Sequence, residues 1–353
     1  MATEGSHSRP GETRAPAVPG QQASPIVLPV DAAAVLGLAR VEEDLRRIEP
    51  LLKRSVEAGD PFLDEVATHL IAAGGKRLRP LLALSAATEG DREATEDDLL
   101  GAVSVELVHL ASLYHDDVID EAVVRRGVES VNSRFGNLVA IVAGDYLLSR
   151  SAEIAAGLGT EIAGLLATTL GRLCQGQVSE VRTAFQVDRT REQYFEAISG
   201  KTAALMATSC RIGALTGGRV PEEVHALTEF GRCFGMVFQL RDDVMDVVAT
   251  DDELGKPPGQ DLAEGVYTLP VLAALDDRDV GPELATLLGQ PLGHPEQDKA
   301  RSMVAASSGI AATVEFGRAY AAEAETALAG LRSRRLADAL VSLTESLFDG
   351  QFQ

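Results

Sequence analysis

The chain has 353 residues, 45% of them hydrophobic, which is enough to bury a large core. Tryptophan is absent and aromatics make up only 4%, so Leu, Ala and Val must build most of that core. A formal net charge of -21 argues against a nucleic-acid partner, which needs a basic surface. It leaves anionic substrates open, provided metal ions and a few local cations neutralise them.

Cys174, Cys210 and Cys233 form no CxxC or metal-ligand pattern. A disulfide framework is not indicated, and a reducing cytoplasm is the simplest setting. No run approaches the roughly 18 apolar residues of a membrane span, so at most peripheral membrane contact is expected. Residues 1–25 are rich in Pro, Gly, Ser and Ala and have no apolar core of a signal peptide. We expect a disordered tail over 1–30 and one helical unit over 31–353.

From Asp31, a candidate N-cap, the spacing predicts a helix over 32–49, ended or kinked by Pro50. A second helix is expected over 62–73. Then Gly74-Gly75-Lys76-Arg77-Leu78-Arg79-Pro80 breaks it, places cations at the break, and restarts a helix with Pro80 in its first turn. The next helix should run over 96–121, followed by Arg125-Arg126-Gly127 in a loop. Further helices are expected over 137–156, 160–186, 190–216 and 221–248. Gly255 to Asp261 reads as a polar loop, and Thr268-Leu269-Pro270 opens another helix. Residues 277–297 read as loop and short helix, and 310–348 as one or two amphipathic helices. Period-two alternation is nowhere sustained, and Rossmann and P-loop glycine motifs are missing. The fold class is all-α, a single large helical bundle.

Two stretches carry the chemistry. His115-Asp116-Asp117-Val118-Ile119-Asp120 and Asp242-Asp243-Val244-Met245-Asp246 share the DDxxD spacing inside apolar, helix-like segments. Positions i and i+4 lie on one helix face, where like charges repel until a cation separates them. Oxygen-only ligands suit a hard divalent ion, and Mg²⁺ is typically held by one or two carboxylates plus substrate phosphates. One DDxxD is often only a solvated helix face. Two copies on separate helices can face each other across a cavity. Lys76, Arg79, Arg125, Arg126 and Lys201 lie at helix ends or breaks. Singly, each would read as a solvated surface residue. Together with the aspartates they suggest one polyanion bound through metal and a second bound by basic residues directly. Gly200, before Lys201-Thr202, costs a helix about 1 kcal/mol relative to Ala, which marks a kink or a packing contact.

These motifs resemble the trans-isoprenyl diphosphate synthases, or polyprenyl synthetases, over about residues 40–345. The matching stretches are GGKRLRP at 74–80, LVHLASLYHDDVIDEAVVRRG at 107–127 and NSRFGNLVAIVAGDYLL at 132–148. GKTAAL at 200–205, FQLRDDVMD at 238–246 and GKPPGQDL at 255–262 complete the set. The resemblance implies an isoprenoid-synthase bundle with a central active-site cavity. It implies condensation of isopentenyl diphosphate with an allylic prenyl diphosphate, dependent on two to three Mg²⁺. Asp116, Asp120 and Asp242 would bind the metal, Asp246 would join that set, and Asp117 and Asp243 would support it. Lys76, Arg79, His109 and Arg126 match the isopentenyl diphosphate site. Arg125, Lys201, Thr202, Gln239 and Lys256 match positions near the allylic diphosphate. Gln239 and the carbonyls of Lys201 or Thr202 would stabilise positive charge on carbon. The resemblance further implies a homodimer.

Product length should be set one turn before the first motif. Ala111, Ser112 and Val108 are small or modest, and in the family small residues there accompany longer products. An all-trans chain of around C35 to C50, as for a quinone side chain, is expected. Geranylgeranyl (C20) synthesis is the nearest rival, and a non-catalytic partner subunit of a heteromeric synthase is another. A class I terpene cyclase is disfavoured by GGKRLRP and the second aspartate motif. Two departures stand out: the non-basic C-terminus, Phe348 to Gln353, and Val266 where many relatives carry Lys.

Overall fold

The computed structural model describes residues 31–250 and 258–348. Its architecture is helical, with a two-stranded hairpin as the sheet among these residues. The first helix differs from its expected form. Gly37 adopts a left-handed conformation (φ +63°) and splits it into α1 (Ala32–Leu36) and α2 (Ala39–Ser55). Pro50 then lies inside α2 instead of ending it. The proline removes one backbone donor, but Ile48 and Leu52 on either side are fully buried and hold the helix to the core.

Asp60 caps α3 (Pro61–Ala72) by accepting from the amides of Phe62 and Leu63. After the Gly-Gly break comes α4 (Leu78–Thr88), which is buried over nearly its whole length. A Thr95/Asp98 capping box starts α5 (Glu96–Ile119). The Arg125-Arg126-Gly127 segment is the tip of a hairpin, β1 (Val124–Arg125) against β2 (Val128–Glu129), where a plain loop was expected. Arg126 and Gly127 both have positive φ, the geometry that suits a tight two-residue turn.

Then follow α6 (Val131–Phe135), α7 (Asn137–Leu158) and α8 (Thr160–Thr183). Next, α9 (Arg191–Ile198) runs through one π-helical turn, Ser199–Ala203, into α10 (Ala204–Thr216). The long α11 (Pro221–Val248) carries the second aspartate motif. Short helices α12 (Gln260–Ala263), α13 (Leu269–Leu275) and α14 (Gly281–Leu287) precede α15 (His294–Ala306), α16 (Gly309–Leu328) and α17 (Arg334–Glu345).

The centre of the bundle is α5, packed along α7 and α4, with α10 wedged between α4 and α11 and α16 lying along α11. The largest apolar cluster joins α2–α5, α7, α10, α11 and α17 through residues such as Leu52, Leu81, Leu107, Tyr114 and Phe234. A second one underpins the end of α11 with Tyr194, Met236, Leu240 and Leu269. A third, with Val105, Val108, Leu173, Leu205 and Ile212, fills the space between α5, α8 and α10. These clusters fix the two aspartate-bearing helices in place, so the site is built on rigid elements. Among the described residues, no helix is long and apolar enough to cross a membrane.

Candidate active site

Helix α5 ends one residue before the last aspartate of the first motif. Asp120 is its C-cap, and its amide donates to the Asp116 carbonyl at 2.8 Å. That i to i−4 bond keeps the two residues one turn apart on one face, at the very end of the helix. Helix C-termini carry partial negative charge, so this end accumulates unfavourable charge. Burial pushes the Asp116 carboxyl upward, opposed by Lys201 and Arg125 and reinforced by Glu180. Asp120 is pushed up to about 7 by burial, then by Glu264 and Asp116. Asp117 faces away. It is fully buried, and Arg125 holds its Oδ1 through both Nε and Nη2 at 2.6 Å. Arg125 is thus drawn toward the inside of the motif.

The second motif is organised differently. Asp242 lies beside Arg241 at 3.6 Å. Asp243 is 1% exposed and accepts from Tyr194 Oη and from Gln239 Nε2, the latter at 2.8 Å. Burial pushes Asp243 up to about 7, with Asp246 and Glu180 adding to the rise. Asp246 accepts from the backbone amides of Gln260 and Asp261 at 3.3 and 3.2 Å, so it anchors the start of α12.

The π-turn brings Lys201 and Thr202 to this place. A π-turn inserts an extra residue into a helix and is frequent at functional sites. Its cause is local: a Cβ on Gly200 would sit 2.8 Å from the Arg172 carbonyl, and one on Gly176 would sit 2.7 Å from the Lys201 amide. The two glycines allow α8 and α9 to touch backbone to backbone, so the kink and the packing contact are one feature. Lys201 pairs with Glu180 at 2.5 Å, and Thr202 Oγ1 contacts Gln239 Oε1 at 2.7 Å. Glu180 influences both Asp116 and Asp243, so both motifs lie within its electrostatic reach.

Among the basic residues, Arg79, Arg126 and His109 cluster. Burial and the nearby cations Arg79, Arg126, Arg77 and Arg125 hold the imidazole well below its usual range, so His109 is neutral here. Arg126 Nη1 donates to the Leu70 carbonyl at 3.2 Å and to the Gly74 carbonyl. Its guanidinium lies over Gly75, where a Cβ would meet it at 2.9 Å. The backbone there has φ +152°, which favours glycine independently of that contact. Arg79 Nε is buried without a hydrogen-bond partner, and burial draws its pKa down to about 10. An orphaned guanidinium donor beside a second guanidinium suits an oxyanion, because charge-assisted hydrogen bonds are the strong ones. Lys76 lies within the influence of Arg241 and Asp242, and burial draws its pKa down to about 8.

Several residues of the site were not singled out from the sequence. Arg77 is buried against Glu49 and Glu106 (2.5 and 2.9 Å) and supports the basic cluster. Glu106, a lone carboxylate in the apolar run Val103 to Leu110, was the available signal. Glu180, Tyr194, Arg241 and Glu264 had no such signal, because each gains its role only from the folding of distant helices.

Among the described residues, no three His, Cys, Asp or Glu side chains converge tightly enough to cage a metal ion. The donors that do gather are oxygen-only, with Asp116, Asp120 and Glu264 contributing to one field. This set fits a hard cation completed by phosphate oxygens, and not a protein-only cage. Lys256 lies outside the described residues, as do 349–353 of the C-terminal departure. The three chain-length residues divide. Val108 belongs to the apolar cluster between α5, α8 and α10, whereas Ala111 is fully buried in the largest cluster. Ser112 is half-buried, its hydroxyl bonded to the His109 carbonyl at 2.8 Å. Tyr114 is fully buried and donates to the Val66 carbonyl at 2.7 Å.

Residues 60–307 match the family described as Polyprenyl synthetase. The chain is 39% identical over 329 residues to a nonaprenyl diphosphate synthase of Mycobacterium tuberculosis, covering 91% of this chain and 97% of that one. It is 40% identical over 282 residues to heptaprenyl diphosphate synthase component 2 of Geobacillus stearothermophilus, covering 80% and 86%. Among solved structures it resembles a geranylgeranyl pyrophosphate synthase from Corynebacterium glutamicum complexed with calcium and isoprenyl diphosphate. That similarity has a TM-score of 0.77 at 37% identity, over 88% of this chain and 96% of the other.

Proposed function

The chain belongs to the polyprenyl synthetase family and is a prenyltransferase; from that premise we propose that it elongates an allylic diphosphate with isopentenyl diphosphate to an all-trans chain of around C35 to C50. The observation that carries this reading is the pairing of two charge environments. Asp116 and Asp120 share one carboxylate-rich field with Glu264, and Arg79, Arg126 and neutral His109 form a basic cluster.

The chemistry follows from that pairing. The allylic C–O bond breaks and the diphosphate leaves with its electron pair. The double bond of isopentenyl diphosphate attacks the allylic carbon, and a proton is lost to regenerate an alkene. Asp116, Asp120, Asp242 and Asp246 would hold Mg²⁺, which supplies Lewis-acid stabilisation of the leaving oxygens. Arg125 and Lys201 flank the same diphosphate. Arg79 and Arg126 hold the isopentenyl diphosphate, and His109 donates to it without competing charge. Gln239 Oε1 and the carbonyls of Lys201 or Thr202 face positive charge on carbon with fixed dipoles.

Two further features support parts of this reading. The apolar cluster behind Asp116, from Val105 and Val108 to Leu173 and Ile212, contains no aromatic side chain, which favours passage of a long tail. Leu138 (76% exposed), Val142 (55%), Val178 (57%) and Val181 (57%) leave an apolar surface on the packed pair α7 and α8. A second copy of the chain is the proposed cover. Similarity to a C20 synthase favours geranylgeranyl diphosphate as the alternative product. The test is incorporation of radiolabelled isopentenyl diphosphate with and without Mg²⁺, with Asp116→Ala and Asp242→Ala as controls. Unchanged turnover in both variants would overturn the metal assignment.

A further inference from the structure

Asp243 is 1% exposed, and its two oxygens are engaged from different helices. Its neighbour Gln239 donates Nε2 to Oδ1 at 2.8 Å, which leaves Oε1 on the other side of the amide. There Oε1 meets the Thr202 hydroxyl at 2.7 Å. An amide oxygen has two lone pairs, so one remains for a ligand. The same carboxylate would lose its hold on that geometry if its second oxygen were free to rotate toward another donor. Tyr194 prevents this. Its ring is 1% exposed, packed edge-on against Phe195 with centroids 5.2 Å apart, and its hydroxyl is aimed at Asp243 Oδ2. The Arg189 guanidinium lies 5.6 Å from the Tyr194 ring centroid. It is tied to the Tyr267 carbonyl at 3.0 Å and is 6% exposed. A cation over the ring face attracts it and holds the ring in place.

We propose that Tyr194 is a positioning residue that, through Asp243, sets the Gln239 amide with its carbonyl available to the reacting allylic carbon. The ordered chain is Tyr194 to Asp243 to Gln239 to Thr202, and it spans α9, α11 and the π-turn. Tyr194 itself is buried and touches no substrate. Its effect is to make the orientation of Gln239 single-valued before any ligand arrives. This inference rests on the prenyl-transfer reading, in which Gln239 faces developing positive charge.

The experiment compares wild type, Tyr194→Phe, Gln239→Leu and the double variant, measuring kcat and both KM values. Turnover by the wild type speaks to the prenyl-transfer reading alone. Tyr194→Phe keeps the ring and deletes one oxygen. The expected result is a fall in kcat of about 10- to 100-fold, with both KM values within about twofold. In the Gln239→Leu background the same deletion should cost less than about twofold, because residues acting as one unit are not additive. Full additivity, or a rise in KM at unchanged kcat, overturns the inference. If Tyr194→Phe does not fold, Thr202→Ser and Thr202→Val read the other end of the chain. Serine keeps the donor and should preserve kcat, whereas valine keeps the shape and should lose it. Equal kcat for the two would contradict the proposed orientation of Gln239.

Discussion

The two aspartate motifs have the same spacing and opposite physical states. At the first, Asp116 and Asp120 crowd a helix C-terminus and share their field with Glu264 and Glu180. At the second, Asp243 and Asp246 are bound by Tyr194, Gln239 and the amides of Gln260 and Asp261. The same aspartate spacing therefore yields one pair crowded at a helix end and one pair held by hydrogen bonds. The difference comes from what distant helices place opposite each motif.

The sharpest way to break this contrast is charge removal at the first motif. Asp116→Ala should lower turnover by about 10³-fold, the scale of losing a key electrostatic stabiliser. It should leave the melting temperature unchanged or raised, because it removes a repelled carboxylate. A clear loss of stability would show that Asp116 is structural.

At the second motif the order reverses. Asp243→Ala strands the Tyr194 hydroxyl and the Gln239 amide in a buried place. Each unsatisfied group costs about 1–3 kcal/mol, so urea unfolding should show a loss of at least about 2 kcal/mol. Wild-type stability in that variant would mean the network is not formed in solution.

A smaller effect concerns pH. The folded pKa of Asp120 is raised to about 7, above the unfolded value of about 3.9. Its contribution to stability is therefore fully present below the unfolded value and is lost as pH rises through 7. Metal-free wild type should gain melting temperature relative to Asp120→Asn on going from pH 8 to pH 6. Mg²⁺ added at pH 8 should recover part of it, and a chelator should remove that gain. Parallel pH profiles for the two proteins would contradict this field.

The fold was largely legible in the sequence because its cause is periodic. The apolar spacing of 221–248 and the caps at Asp60 and Thr95 are local signals, and the helices lie where they point. Pro50 and Gly37 misled because buried neighbours outweigh a lost donor and a left-handed glycine breaks more than expected. Of the site, the motif residues were legible through family resemblance and charge pattern. Their pairings were not. That Asp117 binds Arg125, or that Lys201 binds Glu180, depends on contacts between residues far apart in the chain or on how a helix ends. No window of sequence contains that information. The single glycine at 200 announced the π-turn only as a cost.

The central claim is a long-chain product, and chromatography of the product made from farnesyl diphosphate and excess isopentenyl diphosphate tests it most directly. We predict all-trans chains clustered between about C35 and C50, given the small side chains at Ala111 and Ser112 and the aliphatic cluster around Val108. Accumulation of a C20 product with no further extension would contradict it.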